Sequence, residues 1–590
     1  MRDALRRVPL LVWALTALHV ALMLSFTLLY PPYTAYDEAQ HVDAVEAIAH
    51  DHTWPPPGHR TMSDAVLISA NGVLAAAKER PFTDDTVTPR SQRPSLESLG
   101  LQASHTNPVQ RNQMSQHPPA FYALAAGALK LVPGSDGWAY DRTVGFLRLL
   151  CVLLMAPLPL LAWAFVSIVG GSRQAGMTAA ALPLLSTQLD KLSAGVNNDS
   201  LLVLTTSVAA VLIARVTRGD TTTRTALWLG VVTGIALLTK GFALALVPCV
   251  ALGYLLVRRS DRRWWRQGLL SLAVAFVIGG WWWPHNLLVY GRVQPEGIPD
   301  IRELLLGDHV PAGTPLHPFD FIGGAYTRLS VRFWGSLGIN YAGPETYPRI
   351  YSDVFCSIAL ICVVVLLVRH RNVWRPVLSA ALLPFVLTLG IVVAGMWSGY
   401  EYSRHYPGAQ GRYLFNVIAP MSGVVAMGLH SLLPSGRALL HRLVPTVTVL
   451  AAFAMIERGV TYVLHVNWFL GARAGSTPHR YSLALDGIER WSPWPVPVTD
   501  AVFALVVLAL LLVAVATLLS LRPSAQGLLQ PVQERRVRDG DVAADDVALH
   551  DLEHDHPGAQ DGVDEGGRLS GGGVGVQDPA AGEEGREQVP

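Results

Sequence analysis

Asp37, Glu38 and His41 stand together in the run Pro31-Pro32-Tyr33-Thr34-Ala35-Tyr36-Asp37-Glu38-Ala39-Gln40-His41. Two carboxylates and an imidazole suit a divalent metal or a proton transfer. Asp37 and His41 are four apart, so a helix after the two prolines puts them on one face. The run follows the long apolar segment 8–30, which sets these groups at a membrane surface. The bland reading is a solvated helix start, where the helix dipole favours acids. It accounts for the carboxylates and poorly for the histidine.

Other polar groups interrupt apolar surroundings. Asn197-Asn198-Asp199 opens an apolar segment. Asn and Asp are preferred helix caps, and the competing reading is a second acidic contribution to one site. His117-Pro118-Pro119 starts a short helix, where proline is routine. Lys240 lies between the apolar halves 224–239 and 242–257, and either snorkels or binds an anion. Arg412, in Gln410-Gly411-Arg412-Tyr413, reads as a membrane-edge anchor or as a planar fork for a phosphate. His19 reads as a hydrogen-bonded core histidine. Glu457 and Arg458 read as a local pair inside an apolar span.

The elements that must position these groups are membrane helices. Of the 590 residues, 51% are hydrophobic and only 15% charged, which indicates an all-α polytopic membrane protein. A net charge of +1 offers no basic field, so no nucleic acid partner is expected. Cys151, Cys249, Cys356 and Cys362 all fall in apolar segments, against a disulfide scaffold or a zinc site. The first apolar run is too long for a signal h-region, so it reads as an uncleaved helix.

Spans are predicted near 8–30, 143–170, 173–190, 199–216, 224–239, 242–257, 266–289, 351–369, 374–397, 413–434, 443–463 and 499–521. Arg2, Arg6 and Arg7 put the N-terminus in the cytoplasm, with the basic loops 215–224, 258–266, 369–375 and 437–442. That pattern holds only if 117–133 lies on the outer side as a juxtamembrane helix. The count is then about twelve spans with both termini inside. The polar motifs sort to the outer ends, beside the outer loops 31–142 and 290–350. In the second loop, Arg332-Phe333-Trp334-Gly335 is a candidate interfacial stretch. From 522 the chain is rich in Gly, Asp, Glu and Arg without aromatics, which predicts a disordered cytoplasmic tail, 522–590. The remaining division is a core, 1–435, and further helices, 436–521. Acids and a histidine near two cations suggest a metal-assisted site handling a phosphate.

At these residues the chain resembles the GT-C superfamily of membrane glycosyltransferases. It is most similar to the bacterial membrane family called domain of unknown function 2142. The resemblance rests on Pro32 with Asp37-Glu38-Ala39-Gln40-His41, on His117-Pro118-Pro119-Ala120-Phe121-Tyr122, and on Val196-Asn197-Asn198-Asp199. It continues through Leu238-Thr239-Lys240-Gly241, Trp283-Pro284-His285-Asn286 with Tyr290-Gly291, Phe333-Trp334-Gly335 and Gln410-Gly411-Arg412-Tyr413, over roughly 8–435. It implies a GT-C-like bundle with outer-face juxtamembrane helices and an active site on the extracytoplasmic face of the cell membrane. The implied donor is a sugar on a polyprenyl phosphate, and the acceptor a cell-envelope glycan, lipid or protein, amid membrane lipids. Carried over, Asp37 and Glu38 are the catalytic acids, and His41, Asn198 and Asp199 complete the acceptor or metal site. Lys240, Arg412 and His117 hold the lipid phosphate. The implied cofactor is a divalent metal, Mg or Mn, on Asp37 and His41. Transfer would be an in-line displacement with inversion.

Two competitors use similar features. A lipid-linked oligosaccharide ligase or polymerase would present the same face to a longer donor. A lipid or glycan transporter would keep its charges near the midplane, whereas here only Lys240, His19 and Glu457 lie there.

Overall fold

The computed structural model describes residues 8–78, 87–101, 110–257, 263–298, 307, 309–311, 313–339, 346–469 and 477–522. The predicted tail from 523, and stretches of the loops 31–142, 258–266 and 290–350, lie outside them. Among the described residues every regular element is helical. Two isolated bridges, Thr61–Arg111 and Ser95–Ala139, are the only β pairings there.

Helix α1 (Leu10–Leu29) is about 30 Å long at helical rise, the thickness of a hydrocarbon core, and stops before Pro31 and Pro32. The first loop folds into α2 (Glu38–Asp51), α3 (Asp64–Lys78) and α4 (Ala120–Lys130). α5 (Tyr140–Met155) and α6 (Leu158–Val169) meet at Pro157. α7 (Arg173–Ala181), α8 (Thr187–Ser193), α9 (Asp199–Thr217), α10 (Thr223–Leu237), α11 (Leu246–Leu255), α12 (Trp264–Ala275) and α13 (Trp282–Tyr290) follow. After the second loop come α14 (Pro318–Trp334), α15 (Arg349–Arg369), α16 (Leu383–Ser403), α17 (Ile418–Leu432), α18 (Ala438–Val463), α19 (Thr477–Trp491) and α20 (Val496–Ser520).

Eight helical stretches among the described residues are long and apolar enough to cross a membrane. A ninth is α12 with α13, bent by 50° after a π-helical turn at Phe276–Gly280. A π turn loosens the hydrogen-bond ladder and permits such a bend. The other three predicted spans are filled by shorter helices. At 173–190 the prediction of one span fails: Pro183 ends α7 in a 3₁₀ turn, and Ser186 is extended before α8 begins. At 224–257 the predicted hairpin is present, with Lys240 extended between α10 and the 3₁₀ segment Gly241–Ala245.

Burial separates the centre from the periphery. In the most apolar window of α9, 72% of residues are buried, against 17% for α15 and 22% for α20. α9 is therefore the central post, and α15 and α20 present apolar surface outward, as lipid-facing helices do. α10 and α12 touch almost backbone to backbone: a side chain on Gly230 would strike the carbonyl of Ser271. The eleven-residue α4 is about 16 Å long, too short to cross. It docks on the Lys240 turn, the Ala120 amide donating to the Leu238 carbonyl at 3.0 Å.

Candidate active site

The first loop is held from below by a buried arginine. Arg148, on α5, donates Nε and Nη2 to the two carboxylate oxygens of Glu38 at 2.7 and 2.6 Å. The same guanidinium donates to the carbonyls of Thr27, Tyr30 and Pro31. Glu38 also accepts from the Val196 amide at 3.0 Å and is 1% exposed. This geometry favours a positioning role for Glu38 over the expected catalytic one. Both of its oxygens are engaged in a buried bidentate pair, which orients the loop and turns the carboxylate toward Arg148 and Val196. The effect on its neighbour is positional: Asp37, in left-handed backbone at φ 52, begins α2 with its side chain on the other set of partners.

Those partners come from distant segments. Asp37 Oδ2 lies 3.4 Å from Arg412 Nη2, and Oδ1 lies 3.5 Å from Gln113 Nε2. Arg412 stands in the 3₁₀ stretch Gly411–Val417 that leads into α17. Gly411 is required there, because a Cβ would collide with the Leu329 carbonyl and the Phe333 amide of α14. A second pair lies nearby. Lys240 Nζ donates to Asp199 Oδ1 at 2.6 Å and to Asn198 Oδ1 at 3.3 Å. The two cations meet at one ring: Lys240 Nζ and Arg412 Cζ lie 5.3 and 5.6 Å from the centroid of Tyr413. Buried, opposite and adjacent charges of this kind interact far more strongly than surface pairs.

The cap reading of Asn197-Asn198-Asp199 holds for one residue of the three. Asn197 Oδ1 accepts from the Ser200 amide at 3.0 Å and does the capping. Asn198 makes no capping bond, and with Asp199 it faces Lys240.

Both predicted histidines are buried beside this group. His117 is pushed down to about 3, first by burial and then by the Lys240 charge. Among the described residues its Nδ1 has no hydrogen-bond partner. His41 is also held well below the usual histidine range, by burial and then by Lys240, His117 and Arg412. Its Nδ1 lies 3.0 Å from the Tyr122 hydroxyl, and the two rings stack at 5.8 Å. Both imidazoles are therefore neutral at ordinary pH.

The expected divalent metal finds no preformed set of three protein ligands among the described residues: no three His, Cys, Asp or Glu side chains gather there where a metal ion could be held. Asp37 and Asp199, the carboxylates that Mg or Mn would need, are each paired with a cation, and a metal there would add charge beside Lys240 and Arg412.

Elsewhere partners differ from those read locally. Arg458 Nε donates to the Thr346 carbonyl, and Glu457 accepts from Thr461, rather than the two pairing with each other. His19 is a fully buried core residue as expected, but among the described residues its ring nitrogens make no hydrogen bond, Nδ1 lying 3.9 Å from Asp190. Phe333 and Trp334 are partly buried against Phe415 and Phe355 rather than free for an interface. Arg148, Gln113 and Tyr36 were missed as site residues. The one signal for Arg148 was an arginine inside an apolar run.

Residues 116–283 match the family described as dolichyl-phosphate-mannose-protein mannosyltransferase. That stretch includes His117, Asn198, Asp199 and Lys240 and stops short of Asp37 and Arg412. The chain is similar to the structure of ArnT from Cupriavidus metallidurans bound to undecaprenyl phosphate, at 14% identity. The likeness covers 86% of this chain and 77% of that one, with a TM-score of 0.38. It is similar at 12% identity to the archaeal oligosaccharyltransferase AglB from Archaeoglobus fulgidus, in complex with an inhibitory peptide and a dolichol-phosphate. There 87% of this chain and 57% of that chain are covered, with a TM-score of 0.38. No curated protein matches the sequence.

Proposed function

We propose that the protein is a membrane glycosyltransferase of GT-C type, within the family called domain of unknown function 2142. It moves a sugar from a polyprenyl phosphate to an acceptor hydroxyl on the extracytoplasmic face, with both termini in the cytoplasm. The acceptor is a glycan, lipid or protein of the cell envelope. The observation that carries this reading is the pair of buried cations, Lys240 and Arg412, both close to the Tyr413 ring and beside the Asp37 loop. The family match over 116–283 supports the same chemistry.

The reaction follows from what these groups do when a phosphate arrives. A donor phosphate takes the places of Asp37 and Asp199 at Arg412 and Lys240, exchanging one anionic partner for another. Neutral His117 adds a hydrogen bond at this end. Asp37, released from Arg412, accepts the proton of the acceptor hydroxyl. That oxygen bonds to the anomeric carbon as the bond from the carbon to the phosphate oxygen breaks, and the sugar inverts. The electron pair leaves with the polyprenyl phosphate, whose charge Lys240 and Arg412 stabilise. Glu38 and Arg148 hold the Asp37 loop in place, and no step is routed through a metal.

The test uses purified protein in lipid, radiolabelled polyprenyl-phosphate sugars and a cell-envelope extract. Wild type should transfer label, and Asp37→Asn should lose about 10²–10⁴-fold while keeping its fold and its hold on the lipid phosphate. Transfer at the wild-type rate by Asp37→Asn would remove that residue from the mechanism. No transfer by wild type, with carrier bound, would favour a transporter. Chelator should leave transfer intact, and a loss restored by Mg or Mn would return a metal to the site.

A further inference from the structure

Tyr36 takes no part in the chemistry above, yet it is tied to more of the site than any neighbour in its loop. It is 2% exposed. Its hydroxyl donates to the Ser336 carbonyl at 2.7 Å and accepts from Gln188 Nε2 at 3.0 Å. Gln188 closes the circuit, its Oε1 accepting from the Ser336 amide at 2.7 Å. The first loop, α8 and the strand of chain after α14 are thereby joined at one phenol. The hydroxyl both donates and accepts in this circuit, which restrains the ring and leaves its π-electrons as the working surface.

Two cations lie over that ring. Lys191 Nζ is 3.8 Å from its centroid and Arg412 Cζ is 4.3 Å from it. Lys191 is itself anchored, donating to the carbonyls of Ser336 and Gly338 at 2.9 and 2.6 Å. Arg412 is the cation whose other partner, Asp37, must exchange when a phosphate enters. The ring is thus the contact that persists through that exchange, in a buried setting where a cation–π contact is strongest.

Resting on the reading of Arg412 as a phosphate clamp, we infer that Tyr36 is a positioning residue for the donor: its ring holds the Arg412 guanidinium in line with the phosphate. The contact costs Arg412 little rotamer freedom on binding, because the fork is already oriented before the donor arrives.

The test measures binding of undecaprenyl phosphate to purified protein in lipid, alongside thermal unfolding of each variant. Tyr36→Leu should weaken binding by roughly two- to thirtyfold, while Tyr36→Phe keeps most of it. In an Arg412→Ala background Tyr36→Leu should change binding no further. Should the leucine variant fail to fold, phenylalanines carrying increasing fluorine at position 36 keep the shape and drain the ring of electron density. Affinity should then fall stepwise along the series. Wild-type affinity in folded Tyr36→Leu, an equal loss with and without Arg412, or a flat fluorine series would overturn the inference. No binding by wild type would overturn the phosphate-clamp reading and this inference with it.

Discussion

Two adjacent acids should fail in opposite ways, and Glu38→Gln is the sharper half of that prediction. The Glu38 side chain is fully buried and that of Arg148 is 2% exposed. The glutamine is nearly isosteric and can still accept from the Val196 amide. What it removes is the charge opposite Arg148: the amide oxygen still accepts from Arg148 Nε, but an NH₂ donor replaces the oxygen that accepted from Nη2. Breaking a buried ion pair from one side costs about 3–5 kcal/mol, most of it the burden of the charge left behind. Asp37→Asn costs less, because the Asp37–Arg412 contact is 3.4 Å and Arg412 keeps its place over Tyr36 and Tyr413. Thermal unfolding in lipid nanodiscs, with transfer measured on the folded fraction, separates the two. Glu38→Gln should unfold earlier with activity lost in proportion to fold; Asp37→Asn should unfold near wild type and be inactive. The double variant Glu38→Gln/Arg148→Met should be less destabilised than the sum of the singles, by about 0.5–3 kcal/mol. A Glu38→Gln protein as stable as wild type yet inactive would refute the reasoning and restore Glu38 to the chemistry.

Further predictions follow from the second ion pair and from the histidines. Lys240→Met should destabilise by a similar ~3–5 kcal/mol, since it strands Asp199, whose side chain is 4% exposed. Adding Asp199→Leu should recover stability and leave lipid-phosphate binding lost; binding restored with stability would make the pair purely structural. His117 shares the pH dependence with His41, which is also held below the usual histidine range. The folded value of His117, about 3, lies below its ordinary 6.5. Between these values the unfolded chain binds more protons, so stability is full above about 6.5 and falls as pH drops toward 3. His117→Asn should reduce that slope in unfolding measured from pH 7 to 4, leaving the part due to His41, and an unchanged slope would acquit His117.

Much of the site was legible in the chain because each member stands where an apolar run stops. Asp37, Asp199, Lys240 and Arg412 are charges at or near the ends of apolar segments, and four segments far apart in sequence bring them together. The Lys240 hairpin and the short helix after His117 were readable from the basic loops, which set how often the chain can cross between them. What was not legible is the choice between neighbours. Whether Asp37 or Glu38 meets the buried Arg148 depends on the left-handed backbone at Asp37, which turns consecutive side chains to different partners. The same holds for Asn197 and Asn198, one capping its helix and the other facing Lys240. Arg148 and Tyr36 were missed for a different reason. Both act through contacts more than a hundred residues away, to Glu38 and to Gln188 and Ser336, and such pairings leave no local period or spacing. The break at Pro183 was misjudged because hydropathy records composition, and the helix ends there for lack of a backbone donor.

The seat of Gly411 has a mechanical meaning. With no room for even a methyl group between it and α14, the backbone carrying Arg412 is keyed to that helix like a tooth in a rack. Past its last turn α14 runs into Ser336, which grips Tyr36 and, through it, the loop bearing Asp37. Force applied at any of these points travels round a closed frame and returns to its origin. A side chain inside the frame can swing, but the frame can open only as a whole. A side chain added at Gly411 should therefore displace Arg412, Ser336 and the Asp37 loop together rather than one at a time.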